Sequence, residues 1–143
     1  MNLLARREHT RKELISKLQA KEIEADIAEQ VVDRLTSQDL QSDERFTEAF
    51  VNMRRKKGQG PIRILNELQE RGVSAILQEE YVDTHDPIWR EMITQVREKK
   101  FGRQLPKDYQ LRAKQARFLQ YRGFTNEQIR QETSQHTSYN DEL

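Results

Sequence analysis

The sequence predicts an all-α protein, an elongated array of three tandem three-helix repeat units. Apolar residues recur at intervals of three and four, as in Phe46, Ala49, Phe50, Met53 and in Trp89, Met92, Ile93, Val96, which puts each set on one helix face. The five glycines and three prolines fall between these periodic stretches, and no window alternates with the period of a strand. A seven-residue pattern also returns: Lys17-Leu18-Gln19-Ala20-Lys21-Glu22-Ile23 aligns with Glu67-Leu68-Gln69-Glu70-Arg71-Gly72-Val73 and again with Phe118-Leu119-Gln120-Tyr121-Arg122-Gly123-Phe124.

Helices are expected over 2–8, 10–21 and 24–37 in unit one (1–39), over 43–57, 61–71 and 75–84 in unit two (40–85), and over 87–102, 107–122 and 126–133 in unit three (86–133), with a polar tail over 134–143. Barely two turns precede Thr10, so unit one is expected to be N-terminally short. Thr10-Arg11-Lys12-Glu13 has the form of a capping box, in which hydroxyl and carboxylate satisfy free amides of the first turn. Gly60-Pro61 and Asp86-Pro87 each offer an N-cap followed by proline where its missing amide is harmless. Thr125-Asn126-Glu127-Gln128 repeats the capping box, with Phe124 and Ile129 at the positions of a hydrophobic staple. Leu18, Leu68 and Leu119 are expected at equivalent core positions, joined there by Phe46, Phe50, Trp89 and Phe124. Glu22 stands where the other units have Gly72 and Gly123, so the first unit must end its second helix without the residue best suited to positive φ.

Composition narrows the function. Apolar and charged residues each make up 34% of the chain, against roughly 45–50% and about 25% in an average globular domain, which fits thin helical modules with a large charged surface. Without cysteine there is no disulfide and no thiolate metal site, in keeping with a reducing cytosol. No signal peptide or membrane-length apolar stretch is present, so a cytoplasmic protein with no membrane contact is expected. His85 and Asp86 with Asp83 lack further metal ligands, and Asp86 is better read as a cap. A phosphate-binding glycine loop, a nucleophile elbow and a reactive thiol are all missing; no catalytic residue, metal or cofactor is expected, and the chain is read as a non-enzyme.

Charge is distributed unevenly. Residues 90–122 hold ten Lys or Arg against three acidic residues, whereas 1–53 hold eight against eleven. A locally basic stretch in a nearly neutral chain implies a polyanionic or acidic partner. The candidate contact residues are Arg54, Arg55, Lys56 and Lys57 at the end of one helix, Lys99, Lys100 and Arg103 at the end of another, and Arg112, Lys114 and Arg117 on the next. Cations near a helix C-terminus also interact favourably with its dipole, by about 0.3–1 kcal/mol each, yet four in a row exceed what capping needs. Two other readings stay open at this level. Arg122-Gly123-Phe124 with Asn126, Gln128 and Arg130 has the look of a helix-turn-helix elbow able to read base edges, and a generic helical scaffold for protein interaction fits the composition equally well.

The chain further resembles the RecX family of regulators of the recombinase RecA. Unit one reads Leu4-Ala5-Arg6-Arg7-Glu8-His9-Thr10-Arg11-Lys12-Glu13-Leu14, then Lys17-Leu18. Unit two reads Asp43, Phe46, Phe50-Val51, Arg54-Arg55, Gly58, Gly60-Pro61, Ile64, Glu67-Leu68 and Arg71-Gly72-Val73. Unit three reads Arg117-Phe118-Leu119, Arg122-Gly123-Phe124 and Ile129. The resemblance covers about residues 3–130; Glu22 and the short leader depart from it. It implies a cytoplasmic, monomeric, non-enzymatic protein that binds RecA filaments on single-stranded DNA, inhibits filament growth, ATP hydrolysis and strand exchange, and touches DNA weakly and without sequence preference.

Overall fold

A computed structural model describes residues 7–134, and among them are eight helices and no strand. In chain order these are α1 (Arg11–Ala20), α2 (Ala25–Ser37), α3 (Asp43–Lys56), α4 (Pro61–Glu70), α5 (Ala75–Tyr81), α6 (Ile88–Phe101), α7 (Tyr109–Arg122) and α8 (Asn126–Thr133). The helix expected over 2–8 lies largely outside the described residues, as does nearly all of the polar tail; Arg7 and Glu8 are not helical. Both capping boxes form: Thr10 Oγ1 accepts from the Glu13 amide, and Thr125 Oγ1 accepts from that of Gln128. At α6 the helix starts one residue later than expected, behind Pro87, but the Asp86 carboxylate still accepts from the Ile88 amide at 2.9 Å. α5 stops at Tyr81 instead of reaching residue 84, because Asp83 to Asp86 fold into a turn whose Asp83 carbonyl accepts from the Trp89 indole at 2.7 Å.

The alignment of seven residues corresponds to one backbone device. The amides of Ile23, Val73 and Phe124 donate to the carbonyls of Leu18, Leu68 and Leu119, and the residue before each amide has positive φ, at 67° for Glu22, 81° for Gly72 and 101° for Gly123. This is the Schellman ending, in which a left-handed residue lets two amides satisfy carbonyls that the helix leaves orphaned.

Contacts divide the chain into two compact units, Met1–Met53 with Asn66–Tyr81, and Arg54–Leu65 with Val82–Leu143. In each, the start of one repeat's second helix is set against the Schellman ending of the next repeat. In the first unit, Thr10 Oγ1 donates to the Arg71 carbonyl at 2.7 Å, and a Cβ on Gly72 would lie 2.8 Å from Lys12 Cβ. In the second, the Gly60 amide donates to the Arg122 carbonyl at 2.8 Å and the Ile62 amide to that of Gly123 at 2.8 Å. A Cβ on Gly123 would lie 2.7 Å from the Arg63 nitrogen, and one on Gly60 would lie 2.6 Å from the Gly123 backbone. Gly72 and Gly123 thus serve positive φ and close approach together, whereas Glu22 is exposed and meets only the first demand.

The first unit buries Leu14, Ala28, Val32, Phe46, Phe50, Val51, Leu68 and Val73, with the Phe46 and Phe50 rings stacked at 5.3 Å. Leu18 corrects the expectation: it is only half-buried, whereas Leu14, one turn earlier on the same face of α1, is 2% exposed. In the same unit the buried His9 sits between the Arg7 carbonyl, 3.0 Å from Nδ1, and the Lys17 ammonium, 3.1 Å from Nε2. A neutral ring with its proton on Nδ1 satisfies both partners. Burial, together with the charges of Arg7 and Lys17, holds its pKa below the usual histidine value.

The second unit buries Ile64, Val82, Trp89, Ile93, Leu119, Phe124 and Ile129. It also buries Arg97, whose Nε donates to Glu132 at 2.6 Å while Nη1 donates to the carbonyls of Gly102 at 3.3 Å and Gln104 at 3.2 Å. Thr94 completes the carboxylate with a 2.6 Å hydrogen bond to its other oxygen. A single arginine therefore ties α8 to the loop that follows α6.

Three outcomes follow from this packing. Glu22→Gly should stabilise the protein by about 1 kcal/mol, since it relieves left-handed strain at an exposed site, whereas Gly123→Ala should destabilise it by several times as much; urea midpoints compare the two. Arg97→Met leaves the Glu132 carboxylate buried without its cation and should cost about 3–5 kcal/mol, while Arg97→Met with Glu132→Leu should recover most of that loss in the same measurement. Because the folded pKa of His9 is depressed, its contribution is complete above the unfolded value of about 6.5 and is lost as pH falls through the folded value. The melting temperature should therefore drop on acidification below about pH 6.5, and His9→Asn should flatten that part of the profile.

Candidate functional site

Folding sharpens the charge asymmetry that the sequence shows. The first compact unit holds nine Lys or Arg against fifteen Asp or Glu; the second holds sixteen against nine. All ten candidate contact residues belong to the second unit, which carries the net positive charge.

Within that basic unit the C-terminal ends of α3, α6 and α7 converge. Arg122 Nη1 donates to the Lys57 carbonyl at 2.9 Å, which gives α3 a cationic cap, and its guanidinium lies 5.4 Å from the centre of the Phe118 ring. The Lys100 ammonium stands 5.5 Å from the same ring, and Phe101 meets it edge-on at 5.4 Å. Gly58 allows this approach: it carries positive φ, and a Cβ there would lie 3.0 Å from Val96. Lys56, Lys57, Lys99 and Lys100 are exposed around this point, while Arg54 and Arg55 are half-buried and make further interactions of their own.

Lys114 and Arg117 are exposed on α7, on the side that also carries Gln110 and Tyr121, as their spacing of four, three and four requires. Arg112 is exposed as well, but helical spacing sets it on the opposite flank of α7, and Arg103 lies in the loop after Gly102. The ten residues are thus not one surface. Arg97 leaves the exposed basic set altogether, and its inward position was legible, since it continues the spacing of Trp89 and Ile93 along one face. Arg122 was not among the candidate contact residues, although the repeat places a basic residue before the glycine of each of the last two units, where its side chain can reach back over a neighbouring helix end.

The elbow around Gly123 is the repeat junction. In α8 the Gln128 side chain accepts from the Thr125 amide at 2.9 Å and donates to the Thr84 carbonyl at 2.9 Å, so it is occupied in holding the helix start. A groove of about 850 Å³ beside Trp89 is lined by groups already paired with one another, Arg90 with Gln131 and Thr94 with Glu132. Among the described residues no group of three His, Cys, Asp or Glu is placed to hold a metal, and no helix is long and apolar enough to cross a membrane.

The first, second and third three-helix domains of RecX match residues 1–35, 42–81 and 90–131 in that order. The regulatory protein RecX of Halorhodospira halophila is 41% identical over 130 residues, covering 91% of this chain and 81% of that protein. That of Pseudomonas fluorescens strain Pf-5 is 41% identical over 134 residues, covering 90% and 83%. The crystal structure of RecX from Lactobacillus salivarius shares the fold with a TM-score of 0.77 at 22% identity, over 99% of this chain and 92% of that one. Three domains matched in order, with relatives of this identity over nearly the whole length, mean that the chain belongs to the RecX family of regulatory proteins.

Proposed function

We propose that this protein is a negative regulator of RecA, which binds RecA filaments on single-stranded DNA and inhibits filament growth, ATP hydrolysis and strand exchange without hydrolysing nucleotide itself. The observation that carries this reading beyond family membership is the segregation of charge, with the basic residues gathered in the unit where α3, α6 and α7 end together. That unit faces DNA phosphates or acidic patches of the filament, and the contact with bare DNA is weak, non-specific and reduced by salt as counterions are released. A body that bridges neighbouring filament subunits stabilises the conformation it binds, by its differential affinity for that state, and so slows the cycle that hydrolysis drives. It acts as a monomer in the cytoplasm.

RecA-dependent ATP hydrolysis on single-stranded DNA tests the reading. The parent protein should suppress it in proportion to its concentration. The combined variant Lys56→Glu, Lys57→Glu and Lys100→Glu, at equal helicity and ionic strength, should need about tenfold or more protein for half-inhibition, since each exposed charge contributes about 0.2–1 kcal/mol. If the folded variant inhibits as well as the parent, the basic surface is a solvated face; if the parent leaves RecA unaffected, the function is wrong.

A further inference from the structure

The α7 sequence from Tyr109 to Arg122 contains four cations, three glutamines, two tyrosines and no carboxylate. Its outward face holds Gln110, Lys114, Arg117 and Tyr121, all exposed, with the Tyr121 side chain 74% open to solvent. The ring does not lie loose. The Arg63 guanidinium stands 5.4 Å from its centre, and Arg63 is in turn fixed by the backbone contact of Gly60 and Ile62 with Arg122 and Gly123.

The repeat supplies an internal comparison. Tyr121 aligns with Glu70, fifty-one residues earlier, and at that other junction Lys12 lies against Gly72 as Arg63 lies against Gly123, its ammonium reaching the Glu70 carbonyl at 3.2 Å. A junction of this type therefore tolerates a carboxylate where Tyr121 stands, and the ring contributes little to the core. An aromatic plane braced by a cation, in line with two further cations and an amide, has the chemistry of a single-strand platform: the ring stacks on a base while Lys114 and Arg117 meet the adjoining phosphates.

Resting on the reading that the basic unit meets nucleic acid, we propose that Tyr121, braced by Arg63, stacks on an unpaired base and gives this surface a preference for single-stranded over duplex DNA. In a duplex each base is already stacked on both faces and offers nothing to a surface ring, so only the phosphate contacts remain.

Fluorescence anisotropy with the full chain at fixed salt decides the matter, using labelled oligothymidylate, an abasic strand of equal length and a duplex. Tyr121→Ala should weaken oligothymidylate binding by about 5- to 100-fold, the effect expected for one lost stack, and Tyr121→Phe should stay close to the parent. Both variants should bind the abasic strand and the duplex as the parent does. Thermal melting of Tyr121→Ala should match the parent, as befits an exposed ring. The proposal falls if Tyr121→Ala binds oligothymidylate as tightly as the parent, or if it loses affinity for all three ligands alike. A parent that discriminates through Tyr121 but leaves RecA unaffected would overturn the regulatory reading and uphold this one. A parent that inhibits RecA while Tyr121→Ala binds every ligand unchanged would do the reverse.

Discussion

A short backbone contact between consecutive repeats governs the rest of the structure. At the second junction the Gly60 and Ile62 amides donate to the carbonyls of Arg122 and Gly123, so the free amides at one helix start satisfy the orphaned carbonyls at another helix end. At the first junction the Thr10 hydroxyl and the Arg71 carbonyl make the corresponding bond. Such a contact requires two segments of the backbone to approach with no side chain between them, at a helix end closed by a left-handed residue. Glycine meets both demands. Its consequence is positional: the residues beside each contact are held by backbone, so Arg122 is placed to reach the end of α3 and Arg63 to reach Tyr121. Arg71, the counterpart of Arg122, lies 4.8 Å from the Phe50 ring, so a basic residue before the glycine is used at each junction to cover an aromatic ring.

Much of this was legible in the sequence, because caps and helix endings are local. Thr10 with Glu13 and Thr125 with Gln128 form the boxes that their spacing predicts, and the aligned heptapeptides are the Schellman endings. Burial was less legible, since it depends on what faces a residue across the fold. Leu18 shares its backbone role with Leu68 and Leu119 but not their burial, although Leu14 is buried one turn earlier, as are Ile64 and Gln115 in the other repeats. Arg97 entered the sequence reading only as one of the ten basic residues of 90–122, whereas its register with Trp89 and Ile93 pointed inward. The basic surface was legible as composition only. Sequence placed Lys57 and Lys100 far apart, and it is Arg122 and Phe118 that bring their helix ends together.

The α7 helix shows how far this surface departs from what stability alone would favour. Apart from Asp108, the N-cap four residues before Arg112, its cations have no carboxylate three or four residues away along the helix, so it forgoes pairs worth about 0.2–0.5 kcal/mol each, and Lys114 and Arg117 stand as like charges at neighbouring positions. The helix holds because its ends and its inward side compensate. Asp108 caps its start by accepting from the Leu111 amide at 2.8 Å, Gly123 closes its end, and Leu119 is fully buried. Acidic residues are not scarce in the chain; fifteen of them lie in the other unit. Placing a few on α7 would relieve the repulsion at no expense to packing, since the positions are exposed. A helix that leaves this relief unused, while the other unit carries an excess of acid, keeps an exposed side of net positive charge whose stability rests on its caps and its buried face.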